Sequence, residues 1–411
     1  MKKMSADLDQ VKVVVSGMGV ICAIATNLAQ FRKSLKQGKD GISKIQSFPI
    51  DGMRSVCAGE IKANINLKSL GVSTRKPLDR ASVLILKAAN ESIANSGLCL
   101  TETESLMTGV FMGTCGGGYL NGLKYLSKTG PKSIGPGNLL LDLPLHAASS
   151  RVASKLQVHG GINVVSNACA SSAIAIAYGF ERIRSGKAVA MVVGGYDALN
   201  PLNCAGFGIM RNSSPSNRIR PFDKNRDGML LGEGAAVLIL ESMEHCQSRG
   251  GKALAQILGY GISSDTYHLT APDPSGRGAA EAISTALADA GIHAEDVDYI
   301  NAHGTGTIYN DRMECMAVRK VFGERSSCIP MSSTKSMIGH TLGASGAIEI
   351  VTSIVAIQDG FLPPTINYEE ADPSCNVDCV PNKARIARID RVVSNSFGFG
   401  GTNCSLAIGR Y

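Results

Sequence analysis

Two distant stretches of this chain share one grammar, and that sharing limits the fold more than any other feature. INVVSNACASSAIAIAYGFERIRSG begins at Ile162, and IPMSSTKSMIGHTLGASGAIEIVTSIVAIQDG begins at Ile329. Each runs from an apolar strand through a polar loop to a small-residue helix start, then an apolar helix, then a polar end with glycine. Leu106–Gly118 resembles Val297–Thr307 in the same way. Such a chain reads as two topologically similar halves, residues 1–250 and 251–411, meeting near Gly250 and Gly251.

The remaining segments alternate too. Strands are expected at Lys12–Ser16, Val110–Gly113, Ile162–Val165, Val189–Gly194, Val297–Ala302 and Ile329–Ser333. Helices are expected at Val83–Ala94, Ala279–Ala290 and Ala344–Gln358. This alternation is the mark of an α/β fold. With 411 residues, 44% apolar and 18% charged, the chain can bury a large core. No Pro- or Ser-rich linker separates flexibly tethered domains.

The 12 cysteines are irregularly spaced. Cys375 and Cys379 come closest to a pair, and no second pair or histidine cluster completes a zinc site. No metal and no disulfide framework are expected, which fits a reducing, cytoplasmic setting. Lys2 and Lys3 ahead of VKVVVSGMGVICAIA imitate a signal peptide, but Asp7 and Asp9 interrupt the imitation. No run of about 18 apolar residues is evident, so no membrane span is expected. The net charge of +7 suits an acidic partner. The basic residues are dispersed, with no basic stripe interleaved with aromatics, so nucleic acid is not the expected one.

Four polar or Gly-rich segments fall at expected strand carboxyl ends: Asn167–Ser171, His303–Thr307, Lys335–Gly343 and Phe397–Asn403. Ligand sites in open α/β sheets gather there. Cys169 sits at a strand-to-helix elbow, where the helix dipole favours the nucleophilic thiolate. The segment alone fits a buried structural cysteine equally well; its companions shift the balance. His303 and His340 stand among glycines and can donate hydrogen bonds to a thioester or enolate oxygen. Lys335 can orient the site with Glu349 as counter-charge. Thr305 and Thr307 add hydroxyls, and Phe397 and Phe399 suit a mobile aromatic lid.

The motifs NACASS, RPFDKNRDGMLLGEGAAVLILE, SSDTYHLTAPDP, NAHGTGT, STKSMIGHTLGASGAIE and NSFGFGGTN, in this order, span nearly the whole chain. In them the chain resembles the elongating β-ketoacyl-acyl-carrier-protein synthases of the thiolase superfamily. The resemblance implies a thiolase-like five-layer α-β-α-β-α fold from two duplicated halves, and an obligate dimer. It implies decarboxylative condensation of a Cys169-bound acyl group with malonyl-acyl-carrier protein, with no cofactor beyond the carrier's phosphopantetheine arm. His303 and His340 would assist decarboxylation and stabilise the enolate, and Lys335 with Glu349 would hold the electrostatics. Backbone amides of Cys169 and Phe399 would form the oxyanion hole, and Phe399 would gate the second substrate. Thr305 and Thr307 would bind the arm, and Thr270 of SSDTYHLTAPDP the substrate. Lys62, Lys68 and Arg211 are candidates for carrier docking.

Other readings compete. A degradative thiolase needs a second reactive cysteine near its C-terminus, and Cys404, the late candidate, falls in an expected strand. A non-catalytic chain-length subunit would lack Cys169. Fatty-acid elongation and a type II polyketide or polyene pathway both remain open, as do a homodimer and a heterodimer with a chain-length subunit. In VFMGTCGGGYLNG, Gly116 falls where many fatty-acid enzymes carry a bulky residue at the acyl pocket, so it would open or reshape the tunnel. Cys115 and Tyr119 beside it are also less usual.

Overall fold

The computed structural model describes residues 11–71, 78–129 and 135–411; Lys2, Lys3, Asp7 and Asp9 lie outside them. Ten strands form one mixed sheet. They are β1 (Val13–Cys22), β2 (Thr108–Gly113), β3 (Ile162–Val165), β4 (Ala190–Asp197), β5 (Gly234–Ser242), β6 (Ala255–Ser264), β7 (Tyr299–Asn301), β8 (Met331–Ser332), β9 (Arg391–Phe397) and β10 (Thr402–Gly409). Their spatial order is β8-β7-β9-β10-β6-β1-β5-β4-β2-β3.

Counted outward from the middle, β1-β5-β4-β2-β3 and β6-β10-β9-β7-β8 are the same topology twice. In each set the first two pairings are antiparallel and the outer two parallel. The sets join where β1 and β6 pair antiparallel, Val13 opposite Ile257.

Six helices complete the layers: α1 (Arg80–Ser96), α2 (Ala147–Leu156), α3 (Ser171–Arg184), α4 (Arg277–Asp289), α5 (Ile308–Phe322) and α6 (Ser345–Asp359). The helices α3 and α6 pack on each other and on strands of both sets. The helices α1 and α2 cover the outer face of the first set; α4 lies on β6 and β10, with α5 against it. The result is the five-layer α-β-α-β-α fold. An inner helix must be apolar on all sides, and α6 is buried continuously from Ser345 to Ile357. Small residues let the inner helices approach: a side chain at Gly346 would sit 2.8 Å from the backbone nitrogen of Ala173.

Leu342–Asp359 comes nearest to a stretch of membrane-spanning length and apolarity among the described residues. Its mean hydropathy over 18 residues is 1.2, and 89% of it is buried inside the fold. The burial of an inner helix, not a bilayer, accounts for that apolarity.

The expected strand Lys12–Ser16 extends to Cys22, through Gly17 and Gly19. Glycine is required there because α1 crosses β1 closely. A Cβ on Gly19 would lie 2.0 Å from the carbonyl oxygen of Ala88, and one on Gly17 2.3 Å from that of Ser92. Gly19→Ala should therefore destabilise the fold by about 1–3 kcal/mol through overpacking. Gly161→Ala, with nothing within 4 Å of its added methyl, should be nearly neutral. Denaturant unfolding checks this; equal stability of the two variants would contradict the close approach.

Candidate active site

The cleft forms where the strand carboxyl ends meet the starts of the two inner helices. Cys169 lies in a single 3-10 turn, Ala168–Ala170, between β3 and α3. Ala168 adopts φ 48°, a left-handed conformation that costs an alanine about 1–2 kcal/mol. The turn is held from two sides: the Ala168 carbonyl accepts the Ser171 hydroxyl at 2.6 Å and the Cys115 thiol at 3.1 Å.

His340 Nε2 lies 3.0 Å from Cys169 Sγ. Its Nδ1 receives the backbone N–H of Leu342 at 3.1 Å and lies 3.0 Å from the Ser345 hydroxyl. A backbone N–H can only donate, so Nδ1 is the acceptor and the ring proton sits on Nε2, facing the sulfur. His303 repeats the arrangement. Lys335 Nζ lies 3.3 Å from its Nδ1, and an ammonium offers only protons, so the His303 proton is also on Nε2. The two rings stand nearly perpendicular, centroids 5.4 Å apart. Lys335 also donates to Glu349 of α6, and both side chains are buried.

Burial, the Lys335 charge and His340 hold His303 well below the usual histidine range. Burial and Lys335 do the same to His340. Both rings are therefore neutral donors at physiological pH. Burial pushes Glu349 up to about 7, with Lys335 pulling the other way.

Burial pushes the Cys169 thiol up to about 11, against the Lys335 charge and the backbone N–H groups of Phe399 and of Cys169 itself. Desolvation of the sulfur thus opposes the field at the helix end, which favours the thiolate. The same two N–H groups converge on the sulfur, where an oxyanion at an acylated Cys169 would lie.

The cleft, about 580 Å³ with its open mouth, is lined by Cys169, His303 and His340, and also by Thr270, Thr305, Thr307, Phe397 and Phe399. The hydroxyls of Thr305 and Thr307 lie 2.9 Å apart. The Phe397 ring sits 5.9 Å from that of His303. Phe399 occupies a turn with Gly400 at φ 81° and Gly401 at φ 77°. Lys335 and Glu349 stand behind the histidines, not on the cleft wall.

Other candidates fall elsewhere. Gly116 is not on the wall of this cleft, and the Tyr119 ring lies 3.3 Å from where its Cβ would be. Lys62 lines a separate depression with Lys39 and Cys22, and Lys68 lies on an exposed 3-10 turn, Leu67–Leu70. Arg211 is exposed and precedes Asn212, a cleft residue. Cys404 is buried in the core on β10, and burial pushes its thiol far up.

Three supporting residues are not singled out in the sequence, although Asp265 lies in the motif SSDTYHLTAPDP. Glu314 on α5 accepts the backbone N–H groups of His303 and Gly304, each at 2.8 Å. Asp265 accepts the Asn403 side chain at 2.8 Å and joins the loop after β6 to the Phe399 turn. Phe207 stacks on Phe399 with centroids 5.6 Å apart. A lone acid in a helix or a Phe among glycines reads locally as surface or core; only the tertiary fold brings these to the site.

Ligand-capable atoms of Cys169, His303 and His340 lie within 4.8 Å of one another, the one such group among the described residues. The set could coordinate a thiophilic cation. The 3.0 Å sulfur–nitrogen separation is nevertheless a hydrogen-bond distance, shorter than the roughly 3.5 Å that tetrahedral zinc bonds of 2.0–2.3 Å keep between ligands.

The chain is similar to known proteins over most of its length. The family model described as the β-ketoacyl synthase N-terminal domain matches residues 10–245, and that of the C-terminal domain residues 254–369. The chain is 39% identical over 419 residues to 3-oxoacyl-[acyl-carrier-protein] synthase 2 of Synechocystis sp., covering 99% of this chain and 100% of that one. It is 38% identical over 404 residues to Nodulation protein E of Rhizobium meliloti, covering 96% and 98%. The solved ishigamide ketosynthase/chain length factor superposes with TM-score 0.92 at 34% identity, covering 98% of this chain and 99% of that one. A type II PKS acyl-carrier protein in complex with its ketosynthase bound to the hexaketide gives TM-score 0.89 at 28% identity, covering 98% and 99%.

A neutral resting thiol has a kinetic signature. Alkylation of Cys169 by iodoacetamide, followed on its peptide by mass spectrometry, should rise about tenfold per pH unit from pH 7 to 10. A plateau below pH 8 would show a resting thiolate and contradict the burial argument.

Proposed function

This chain belongs to the β-ketoacyl synthase family, and on that premise we propose that it condenses a Cys169-bound acyl group with malonyl-acyl-carrier protein. The products are 3-oxoacyl-acyl-carrier protein and CO2, in fatty-acid elongation. One observation carries the reading: two neutral imidazoles, each with its proton on Nε2, stand beside a cysteine that is itself surrounded by backbone donors.

Condensation has two parts. In the first, Cys169 Sγ attacks the thioester carbonyl of an acyl carrier. The carbonyl oxygen, now negative, is held by the N–H groups of Cys169 and Phe399. The carrier sulfur leaves, and the thiol proton lost by Cys169 ends on it, so thiol–thioester exchange leaves the proton count unchanged. In the second, malonyl carrier enters and its C–C bond to the carboxylate breaks. CO2 departs, and the electron pair becomes an enolate whose oxygen receives Nε2–H from His303 and His340. The enolate carbon attacks the acyl carbonyl on Cys169, the C–S bond breaks, and the Cys169 sulfur takes a proton from solvent. The Lys335 charge helps to keep both imidazoles neutral and fixes the His303 tautomer, while the Leu342 N–H fixes that of His340. No general base is needed, because decarboxylation supplies the carbanion.

The hydroxyls of Thr305 and Thr307 on the cleft wall suit the phosphopantetheine arm, and Thr270 lines the same cleft. No cofactor beyond that arm is required. Phe399, braced by Phe207, suits a gate for the malonyl unit. The exposed Arg211 near the mouth suits an acidic carrier better than Lys62 or Lys68, which lie away from the cleft. The chain would act as a homodimer or beside a chain-length subunit.

A second reading is the ketosynthase subunit of a type II polyketide or polyene pathway. It is favoured by the similarity to the ishigamide ketosynthase/chain length factor.

Intact-protein mass spectrometry after incubation with a series of acyl-carrier thioesters tests the proposal. Wild type should gain one acyl group and Cys169→Ala none. Preference for saturated chains would favour fatty-acid elongation, and for unsaturated chains the second reading. His303→Ala and His340→Ala should each lower malonyl decarboxylation by about 10²–10³. An adduct that persists in Cys169→Ala would overturn the assignment.

A further inference from the structure

The last residue of β4 is a buried carboxylate whose partners are all neutral. Asp197 Oδ1 accepts the Thr114 hydroxyl at 2.9 Å and the Gly116 N–H at 2.8 Å. Its Oδ2 accepts the Cys115 N–H at 2.9 Å and the Gly343 N–H at 2.7 Å. Three of the four are backbone donors, which cannot reverse their role. Each oxygen holds two bonds, so the arrangement leaves no place for a proton on the carboxylate. Buried charge is costly unless hydrogen-bonded in this way.

The two ends of this clamp lead to different reactive groups. On one side, Cys115 donates its thiol to the carbonyl of Ala168, the residue before Cys169, at 3.1 Å. On the other, Gly343 follows Leu342, whose N–H fixes the His340 tautomer at 3.1 Å. Cys169 and His340 touch at 3.0 Å. A closed ring therefore runs Cys169, Ala168, Cys115, Asp197, Gly343, Leu342, His340 and back to Cys169. The seam is tight as well: a Cβ on Gly343 would lie 2.6 Å from Thr114 Cα, 2.8 Å from the Cys115 nitrogen and 2.8 Å from Asp197 Oδ2.

We propose that Asp197 is a positioning residue for the condensation. It fixes the turn that carries Cys169 against the turn that sets the His340 proton, each from a different half of the chain. It touches neither substrate nor reacting atoms; it acts through Cys115 and Leu342. The proposal rests on the roles given above to Cys169 and His340.

The test uses Asp197→Asn, which keeps the shape and can retain some of the four bonds, and Asp197→Ala, which retains none. Asp142→Asn is the control. Asp142 is also buried and accepts the Asp79 N–H at 2.7 Å and the Arg151 guanidinium, but it has no link to the ring. Malonyl-carrier decarboxylation, Cys169 alkylation and thermal unfolding are measured on each. For Asp197→Asn, kcat should fall about tenfold with KM within twofold, and for Asp197→Ala about a hundredfold. Alkylation of Cys169 should slow in the same order, because the Nε2–H facing its sulfur is no longer fixed.

Folded Asp197 variants with kcat and alkylation within twofold of wild type would overturn the proposal. So would an effect confined to KM, or an equal kcat loss in Asp142→Asn at a matched loss of Tm. If Asp197→Ala does not fold, Asp197→Asn decides. If wild type itself does not decarboxylate malonyl carrier, the condensation reading fails, while the alkylation comparison still decides the clamp.

Discussion

A single buried ammonium, Lys335, sets the electrostatics on which the rest of this site depends. It donates to Glu349 and to His303 Nδ1, and its charge acts on both imidazoles and on the Cys169 thiol. Isolated in the core, a lysine would lose its proton or destabilise the fold. Here Glu349 makes the charge tolerable. That charge in turn keeps two histidines neutral and partly offsets the penalty that burial imposes on the cysteine. Desolvation and this cation oppose each other at the cysteine but act together on the histidines, and the neutral Nε2–H donors are their joint product.

The fold explains how these groups meet. The first half supplies Cys169 and the second supplies His303, Lys335, His340 and Glu349, so neither half holds the chemistry alone. The duplication is visible at the level of single residues. Before α3 lies a 3-10 turn that opens on left-handed Ala168; before α6 lies one that opens on left-handed Leu342. Where the first turn carries Cys169, the second carries Gly343. One copy became the nucleophile's seat, and the other gives its N–H to Asp197 and, lacking a side chain, packs closely on Thr114 and Cys115.

Much of this was legible in the sequence. Strand–helix alternation and the near-repeat at Ile162 and Ile329 express periodicity and turn chemistry, which are local. The convergence of Cys169, His303, Lys335 and His340 followed from strand-end placement. What was not legible depends on burial and on tertiary neighbours. The thiolate expectation for Cys169 counted the helix end but not desolvation. That the Tyr119 ring lies beside Gly116, three residues earlier, is not written in the glycine run. Leu342–Asp359 holds Glu349 and several small residues, so its burial shows only when both five-strand sets are in place. Glu314, Asp265 and Phe207 act across long separations that no local pattern encodes.

The account stands or falls on the state of the two imidazoles. The most direct measurement is 15N NMR of His303 and His340 in imidazole-labelled protein between pH 6 and 9. The account predicts two neutral rings, each protonated on Nε2 throughout that range, with Lys335→Ala releasing the tautomer of His303. An imidazolium at neutral pH, or a proton on Nδ1 of either ring, would contradict it.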